Sequence, residues 1–183
     1  RRIAALKPAA PDFLLMWDNA YCVHEFEGDY VPFPDILSLC AEAGRPDMVL
    51  EFASTSKISF PGSGIASMAT SLNNLEDIKK QMQYQTIGHD KVNQLRHVRF
   101  FEDIHGMVKH MQKHANILRP KFEMVEDIFE KNLAGTGVGE WTKPKGGYFI
   151  SFETLPGCAK AVVDKCKKAG VKLTPAGSAF PYK

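Results

Sequence analysis

Two short apolar runs, each closing on a cluster of polar and reactive residues, constrain this chain more than any other feature. Phe13-Leu14-Leu15-Met16-Trp17 ends on Asp18-Asn19, and Met48-Val49-Leu50-Glu51-Phe52-Ala53 ends on Ser54-Thr55-Ser56-Lys57. Apolar runs of this length suit strands buried on both faces. Between them Pro32 and Pro34 mark a loop, and Ile36 to Ala43 has the pattern of a helix. Asp35 is placed to cap its start and Gly44 lies just past its end. Strand, helix, strand, with polar groups at the strand ends, is the organisation of an open α/β sheet. Ligands of such sheets sit at the carboxyl ends of the strands.

The rest of the chain extends this reading. Residues 1–10 have the look of a helix end closed by Pro8 and Pro11. After the turn Pro61-Gly62-Ser63-Gly64, Ile65 to Ala69 is expected to form a third strand. Gly62 to Ser67 resembles a dinucleotide fingerprint only superficially, because the third glycine is missing and a strand follows rather than a helix. Leu75 and Ile78 begin a helix running toward Tyr84, broken by Gly88, and Val92 to Phe101 reads as helical. Ile104, Met107, Val108, Met111, Leu118, Phe122, Val125, Phe129 and Leu133 recur at helical steps and form one apolar stripe. Pro120 lies within that stripe and should kink the helix or start a second one. Gly135 and Gly137 end it. Strands are expected over Tyr148–Phe152 and Val171–Thr174, with a helix from Cys158 to Ala169 between them.

The net charge of +2 gives no field strong enough to favour nucleic acid or an anionic membrane as partner. No run is apolar enough to span a bilayer. The start, Arg1 to Leu6, runs into Lys7-Pro8 without the apolar core of a signal peptide. Cys22, Cys40, Cys158 and Cys166 form no C-x-x-C pair, which favours a reducing, cytoplasmic setting and packing roles. The chain begins without Met and stops soon after a turn-like stretch, and it reads as a fragment of a longer protein.

Three features combine into a chemical proposal: Asp18-Asn19-Ala20-Tyr21, Ser54-Thr55-Ser56-Lys57, and the turn Pro61 to Gly64. A lysine amine that sheds its proton can form a Schiff base with an aldehyde cofactor. Serines three and one residues before it can hydrogen-bond a phosphate. A carboxylate opposite a pyridine nitrogen keeps that nitrogen protonated and the ring an electron sink. A tyrosine three residues beyond the carboxylate can reach the ring oxygen.

Asp18-x-Ala20-Tyr21 followed by Ser54-x-Ser56-Lys57 resembles the fold-type I aminotransferases that use pyridoxal 5'-phosphate (PLP). Lys143-Pro144-Lys145-Gly146-Gly147-Tyr148-Phe149 is similar to the start of their small-domain sheet. Val171-Lys172-Leu173-Thr174-Pro175-Ala176-Gly177-Ser178-Ala179-Phe180 is similar to the loop before their substrate-binding arginine. Lys91-Val92-Asn93-Gln94-Leu95-Arg96-His97 resembles the MocR-type aspartate aminotransferase branch. The resemblance implies an α/β fold with part of a large PLP-binding domain over residues 1–119, a mostly parallel sheet flanked by helices. Part of a small C-terminal α/β domain would occupy residues 120–183. It implies that Lys57 carries the cofactor as an aldimine and serves as general base, and that Asp18 pairs with the pyridine nitrogen. Tyr21 would bond the phenolic oxygen, and Ser54 and Ser56 the phosphate. The activity implied is transfer of an amino group between an amino acid, aspartate or a similar one, and a 2-oxo acid. The family also implies a homodimer, with Thr86-Ile87-Gly88 near the partner's cofactor.

The sequence departs from the family at Gly64, where an arginine commonly pairs with the phosphate. The other phosphate-cradling and ring-stacking groups are expected before Arg1, and the arginine for the substrate α-carboxylate after Lys183. His110 and His114 are four apart, the spacing of a metal pair, but no H-E-x-x-H motif frames them, so a solvated helix face is expected. His24 and His97 are expected to bond locally, Arg96 and Arg119 to be structural cations, and Trp17 to face the core, opposite Asp18. Rival functions are a PLP-dependent lyase, a PLP-sensing domain of a transcriptional regulator, and a remnant without PLP.

Overall fold

The computed structural model describes residues 1–27, 32–178 and 181. The chain divides into two compact units. One comprises Arg1–Glu25 with Asp29–His114, the other Phe26–Gly28 with Ala115–Lys183.

The first unit is built on a three-stranded sheet, β1 (Leu15–Asp18), β2 (Val49–Ser54) and β3 (Ala66–Ala69), in the order β1-β2-β3. β1 and β2 run parallel, with Leu15 opposite Val49 and Asp18 opposite Phe52, and β3 returns antiparallel with Ser54 opposite Ala66. The connection from β1 to β2 contains α1 (Ile36–Glu42). The Asp35 carboxylate caps this helix by accepting from Ser38 N at 3.0 Å, satisfying one of the orphan N–H groups of a helix start. Ile36 and Cys40, one turn apart, are buried with Ala4, Met48 and Val49, and Leu15 and Trp17 pack against them. Trp17 thus faces the α1 side of the sheet and Asp18 the other. Residues 2–5 form a turn with Ala5 N on Arg1 O at 3.0 Å, where a helix end was expected.

Burial of β1 on both faces is not observed: Met16 is 71% exposed. Among the described residues β1 has a strand neighbour on one side only, and α1 covers one face. Beyond β3 come α2 (Leu72–Gln85), capped by Ser71, and α3 (Lys91–Phe101), capped by Asp90. α3 buries Asn93, His97 and Phe101, a stripe at four-residue steps.

α4 (Ile104–Asn132) is a single helix of 29 residues that passes through Pro120 without starting anew. Pro120 has no N–H for the carbonyl of Asn116, four residues earlier. Along α4, Met107 and Met111 pack in the first unit, and Ala115, Leu118 and Phe122 in the second. Ile104 and Val108, and Val125 near the far end, are exposed instead of lying in the stripe. A seven-residue repeat drifts about 20° per heptad around a straight helix, so one line of residues cannot stay inward along it.

In the second unit Phe26 packs against Phe122, the rings tilted by 36° with centroids 4.5 Å apart. The Arg119 guanidinium donates from Nε to the Phe26 carbonyl at 2.5 Å, the structural role expected of it. A two-stranded antiparallel sheet joins β4 (Gly139–Trp141), a strand the sequence pattern did not signal, to β5 (Phe152–Thr154), with Trp141 opposite Phe152. Tyr148 to Ile150 are not in a strand. Gly147 has φ +82°, a left-handed turn, and Pro144 on the facing segment has no N–H to extend the ladder. α5 (Ala159–Lys168) follows. Residues 171–174 form no strand among the described residues: Val171 N returns to Cys166 O at 2.8 Å as part of the helix end. Ala179 and Phe180, within the stretch likened to the arginine loop, lie outside the described residues. All four cysteines are free, and burial raises the Cys22 and Cys40 thiols above their ordinary range. Among the described residues no helix is long and apolar enough to cross a membrane.

Candidate functional site

The parallel pairing of β1 and β2 brings their carboxyl ends side by side. Residues paired across a sheet share a face, and residues two apart along a strand return to it. Asp18, Phe52 and Ser54 therefore point to the same face, away from α1. At the end of β1 the chain turns back tightly: Asn19 N donates to Phe52 O at 2.7 Å and Ala20 N to Asp18 Oδ1 at 3.1 Å. Asn19 Nδ2 reaches Glu51 Oε1 at 3.1 Å. These bonds fix the main chain on either side of the Asp18 carboxylate.

At the end of β2 the backbone folds into a turn over residues 55–59, with Ile58 N and Ser59 N both on Thr55 O, at 2.9 and 2.8 Å. The Ser54 and Ser56 hydroxyls stand 2.8 Å apart, and Ser56 N lies 3.3 Å from Ser54 Oγ. The Ser56 N–H is thus given to Ser54 Oγ, and the two adjacent hydroxyls, on half-buried residues, are donors of the kind a phosphate can take. Lys57 is exposed at the crest of this turn. Tyr21, 38% exposed, meets the His24 ring edge-on with centroids 5.3 Å apart, and His24 Nε2 lies 3.4 Å from the Lys57 carbonyl. His24 is thus shared by the turn that bears Tyr21 and the turn that bears Lys57.

Gly64 is explained by its surroundings. A Cβ there would meet Thr55 Oγ1 at 3.0 Å and Ser56 N at 3.1 Å. The chain after Pro61 lies so close to the lysine turn that any side chain, the arginine of the family turn included, would need its neighbours to give by a few tenths of an ångström. Asn93 Nδ2 holds this approach by donating to Gly64 O at 3.1 Å, and Arg96 in turn donates to Asn93 Oδ1.

The residues that sequence reasoning missed are the histidines behind the turn. His97 is buried, with Nδ1 2.9 Å from Asn93 O and Nε2 2.7 Å from Ser59 Oγ and 3.2 Å from Thr55 Oγ1. The Nδ1 bond is the local one expected of His97, and those of Nε2 reach 38 and 42 residues back along the chain besides. His110 is half-buried, and its Nε2 is 2.8 Å from Ile58 O; it does not lie on a solvated face. The His114 ring lies beside it, tilted by 56° with centroids 4.6 Å apart. Burial lowers the pKa of His24 below the ordinary imidazole range, partly opposed by the Lys57 carbonyl. Burial likewise lowers that of His114, aided by His110 and His24. Among the described residues no group of three His, Cys, Asp or Glu could hold a metal ion.

Comparison with known proteins gives this geometry a class. A crystal structure of an aspartate transaminase from Corynebacterium glutamicum matches with a TM-score of 0.93 at 44% identity, covering 98% of this chain and 42% of that one. The alpha-aminoadipate aminotransferase of Thermus thermophilus, complexed with N-(5'-phosphopyridoxyl)-L-leucine, matches at 0.70 and 21% identity, over 90% of this chain and 41% of that one. At that identity the likeness is one of fold. The fold is the mixed α/β fold of the type I PLP transferases. The family model for aspartate amino-transferase matches residues 1–183. The aspartate aminotransferase of C. glutamicum is 43% identical over 183 residues, all of this chain and 42% of its own length. A Mycolicibacterium smegmatis relative is 48% identical over the same span, 43% of its length. The chain belongs to the aspartate aminotransferase family, and it spans less than half the length of the curated relatives it matches.

Proposed function

We propose that the protein containing this chain is a PLP-dependent aminotransferase, which moves an amino group between aspartate or a similar amino acid and a 2-oxo acid. The observation that carries this reading is the register of β1 and β2. It sets Asp18 and Ser54 on one face at adjacent strand ends, with Lys57 on the turn that follows. Residues 1–119 are read as part of the PLP-binding domain and residues 120–183 as part of the small domain. A homodimer working in the cytoplasm belongs to the same reading.

PLP, when bound, supplies an electron-withdrawing ring that stabilises negative charge at the substrate Cα. The chain's own residues do the rest. The Ser54 and Ser56 hydroxyls, 2.8 Å apart, would anchor the phosphate, and two adjacent hydroxyl donors fit it. Asp18 would hold a proton on the pyridine nitrogen through a charge-assisted bond. Tyr21 would donate to the phenolic oxygen. Lys57 would be the amine that holds the cofactor and, as a general base, would move the proton of the substrate Cα.

The test is product analysis with the full-length protein, PLP and aspartate. Transamination requires that oxaloacetate appear only when a 2-oxo acid acceptor is present and is converted to its amino acid. Release of pyruvate and ammonia without an acceptor would make the protein a lyase. No turnover with PLP bound would favour the sensing domain.

A further inference from the structure

The turn that carries Lys57 is held from behind by histidines on separate segments, and this arrangement points to a role for His97 and His110. His97 projects from α3. Its Nδ1 lies 2.9 Å from the Asn93 carbonyl, which can only accept, so Nδ1 carries a proton. In the uncharged ring Nε2 is then an acceptor for the Ser59 hydroxyl at 2.7 Å. Thr55 Oγ1, 3.2 Å from the same nitrogen, also takes the Ile65 N–H at 2.9 Å. His110 projects from α4 and lies 2.8 Å from the Ile58 carbonyl; by the same logic its Nε2 is the donor. The residues before and after Lys57 are therefore pinned by two imidazoles at well-formed hydrogen-bond distances.

We propose that His97 and His110 are positioning residues for Lys57: they lock the 55–59 turn so that the amine leaves it in one direction, toward the space beside the Ser54 and Ser56 hydroxyls. The inference rests on the reading of Lys57 as the lysine that binds PLP. Its physical basis is the steep dependence of such reactions on placement, where about 1 Å of displacement costs about a hundredfold. Lys57, the exposed residue of an otherwise buried or half-buried turn, has no strand or helix of its own to fix it. Hydrogen bonds from α3 and α4 supply that rigidity, and the apolar contacts of Ile58 with Phe101 and Met111 add to it. Packing alone would not require nitrogen atoms at 97 and 110.

The test uses the full-length protein and four variants. His97→Phe keeps an aromatic ring next to Phe101 but removes both polar contacts. His97→Gln returns an amide toward Ser59. Ser59→Ala removes the same bond from the turn side, and the fourth variant combines His97→Phe with Ser59→Ala. Three readouts are taken: thermal midpoint without PLP, the rate at which added PLP becomes borohydride-reducible on Lys57, and the pH midpoint of the absorbance of bound PLP. The expected result is that His97→Phe slows loading roughly tenfold or more and moves the absorbance midpoint. Ser59→Ala should do the same, the double variant should be no worse than either single one, and His97→Gln should recover most of the rate. Loading at the wild-type rate with an unmoved absorbance midpoint in His97→Phe overturns the proposal. So does a fall in thermal midpoint that His97→Gln and Ser59→Ala do not follow, which would make His97 a packing residue only. If the wild-type protein itself gives no adduct on Lys57, the PLP reading fails first and this inference with it. A wild-type adduct with indifferent variants refutes the inference alone.

Discussion

Gly64→Ala adds a single carbon at the point where the chain after Pro61 meets the lysine turn. That carbon would stand 3.0 Å from Thr55 Oγ1, 3.1 Å from Ser56 N and 3.4 Å from Ser56 Cα, whereas ordinary contacts lie at 3.4–4 Å. A few tenths of an ångström must therefore be found. Neither neighbour yields easily: Thr55 Oγ1 is engaged by Ile65 N and His97, and Ser56 N is backbone. Overpacking of this kind costs about 1–3 kcal/mol. Urea unfolding of the full-length protein should show that loss. If the turn moves to relieve the contact, PLP affinity measured by absorbance titration should weaken by about five- to 150-fold, the same energy expressed as a binding constant. Gly64→Arg carries the same carbon, so restoring the arginine of the family turn should not strengthen PLP binding. Wild-type stability and affinity in Gly64→Ala, or tighter PLP binding in Gly64→Arg, would refute the close approach on which this reasoning stands.

Two further expectations concern stability. His24 and His114 have folded-state pKa values below the ordinary 6.5, in each case chiefly through burial. Between the folded and unfolded values the unfolded chain binds more protons. Stability should therefore be full above pH 6.5 and fall as pH drops below it, and a urea midpoint that stays flat from pH 8 to pH 5 would contradict this. Asp47 and Asp103 are shifted below the ordinary 3.8 by hydrogen bonds, so their contribution is lost only at more acidic pH. In the second unit Phe122, buried against Phe26 and Ala115, should cost about 3–5 kcal/mol when replaced by alanine, and a loss under 1 kcal/mol by denaturant unfolding would show that this cluster is not a core.

The sequence made the first sheet legible because its signals were strong and local. An apolar run, a polar stop, the Asp35 cap and Gly44 sufficed to delimit β1, α1 and β2. Failures came where pairing decides. Tyr148–Ile150 and Val171–Thr174 have strand-like composition, yet a strand exists only if a partner offers its N–H and C=O groups, and a single sequence does not display partners. β4 was invisible for the converse reason, since Gly139-Glu140-Trp141 has little strand character until Phe152 lies opposite. The roles given to Asp18, Tyr21, Ser54, Ser56 and Lys57 come from the family resemblance; their places at or just beyond strand ends were legible. The histidines behind them were not, because polar side chains in a helix look like a solvated face. One signal was available: Asn93, His97 and Phe101 share a stripe, and polar residues in line with a buried aromatic ask for buried partners.

The central claim is that Lys57 binds PLP, and borohydride reduction of the full-length protein with PLP, followed by peptide mass spectrometry, tests it most directly. The expected result is a phosphopyridoxyl adduct confined to the peptide containing Lys57. An adduct on another lysine, label scattered over the surface lysines, or no adduct at all would contradict it.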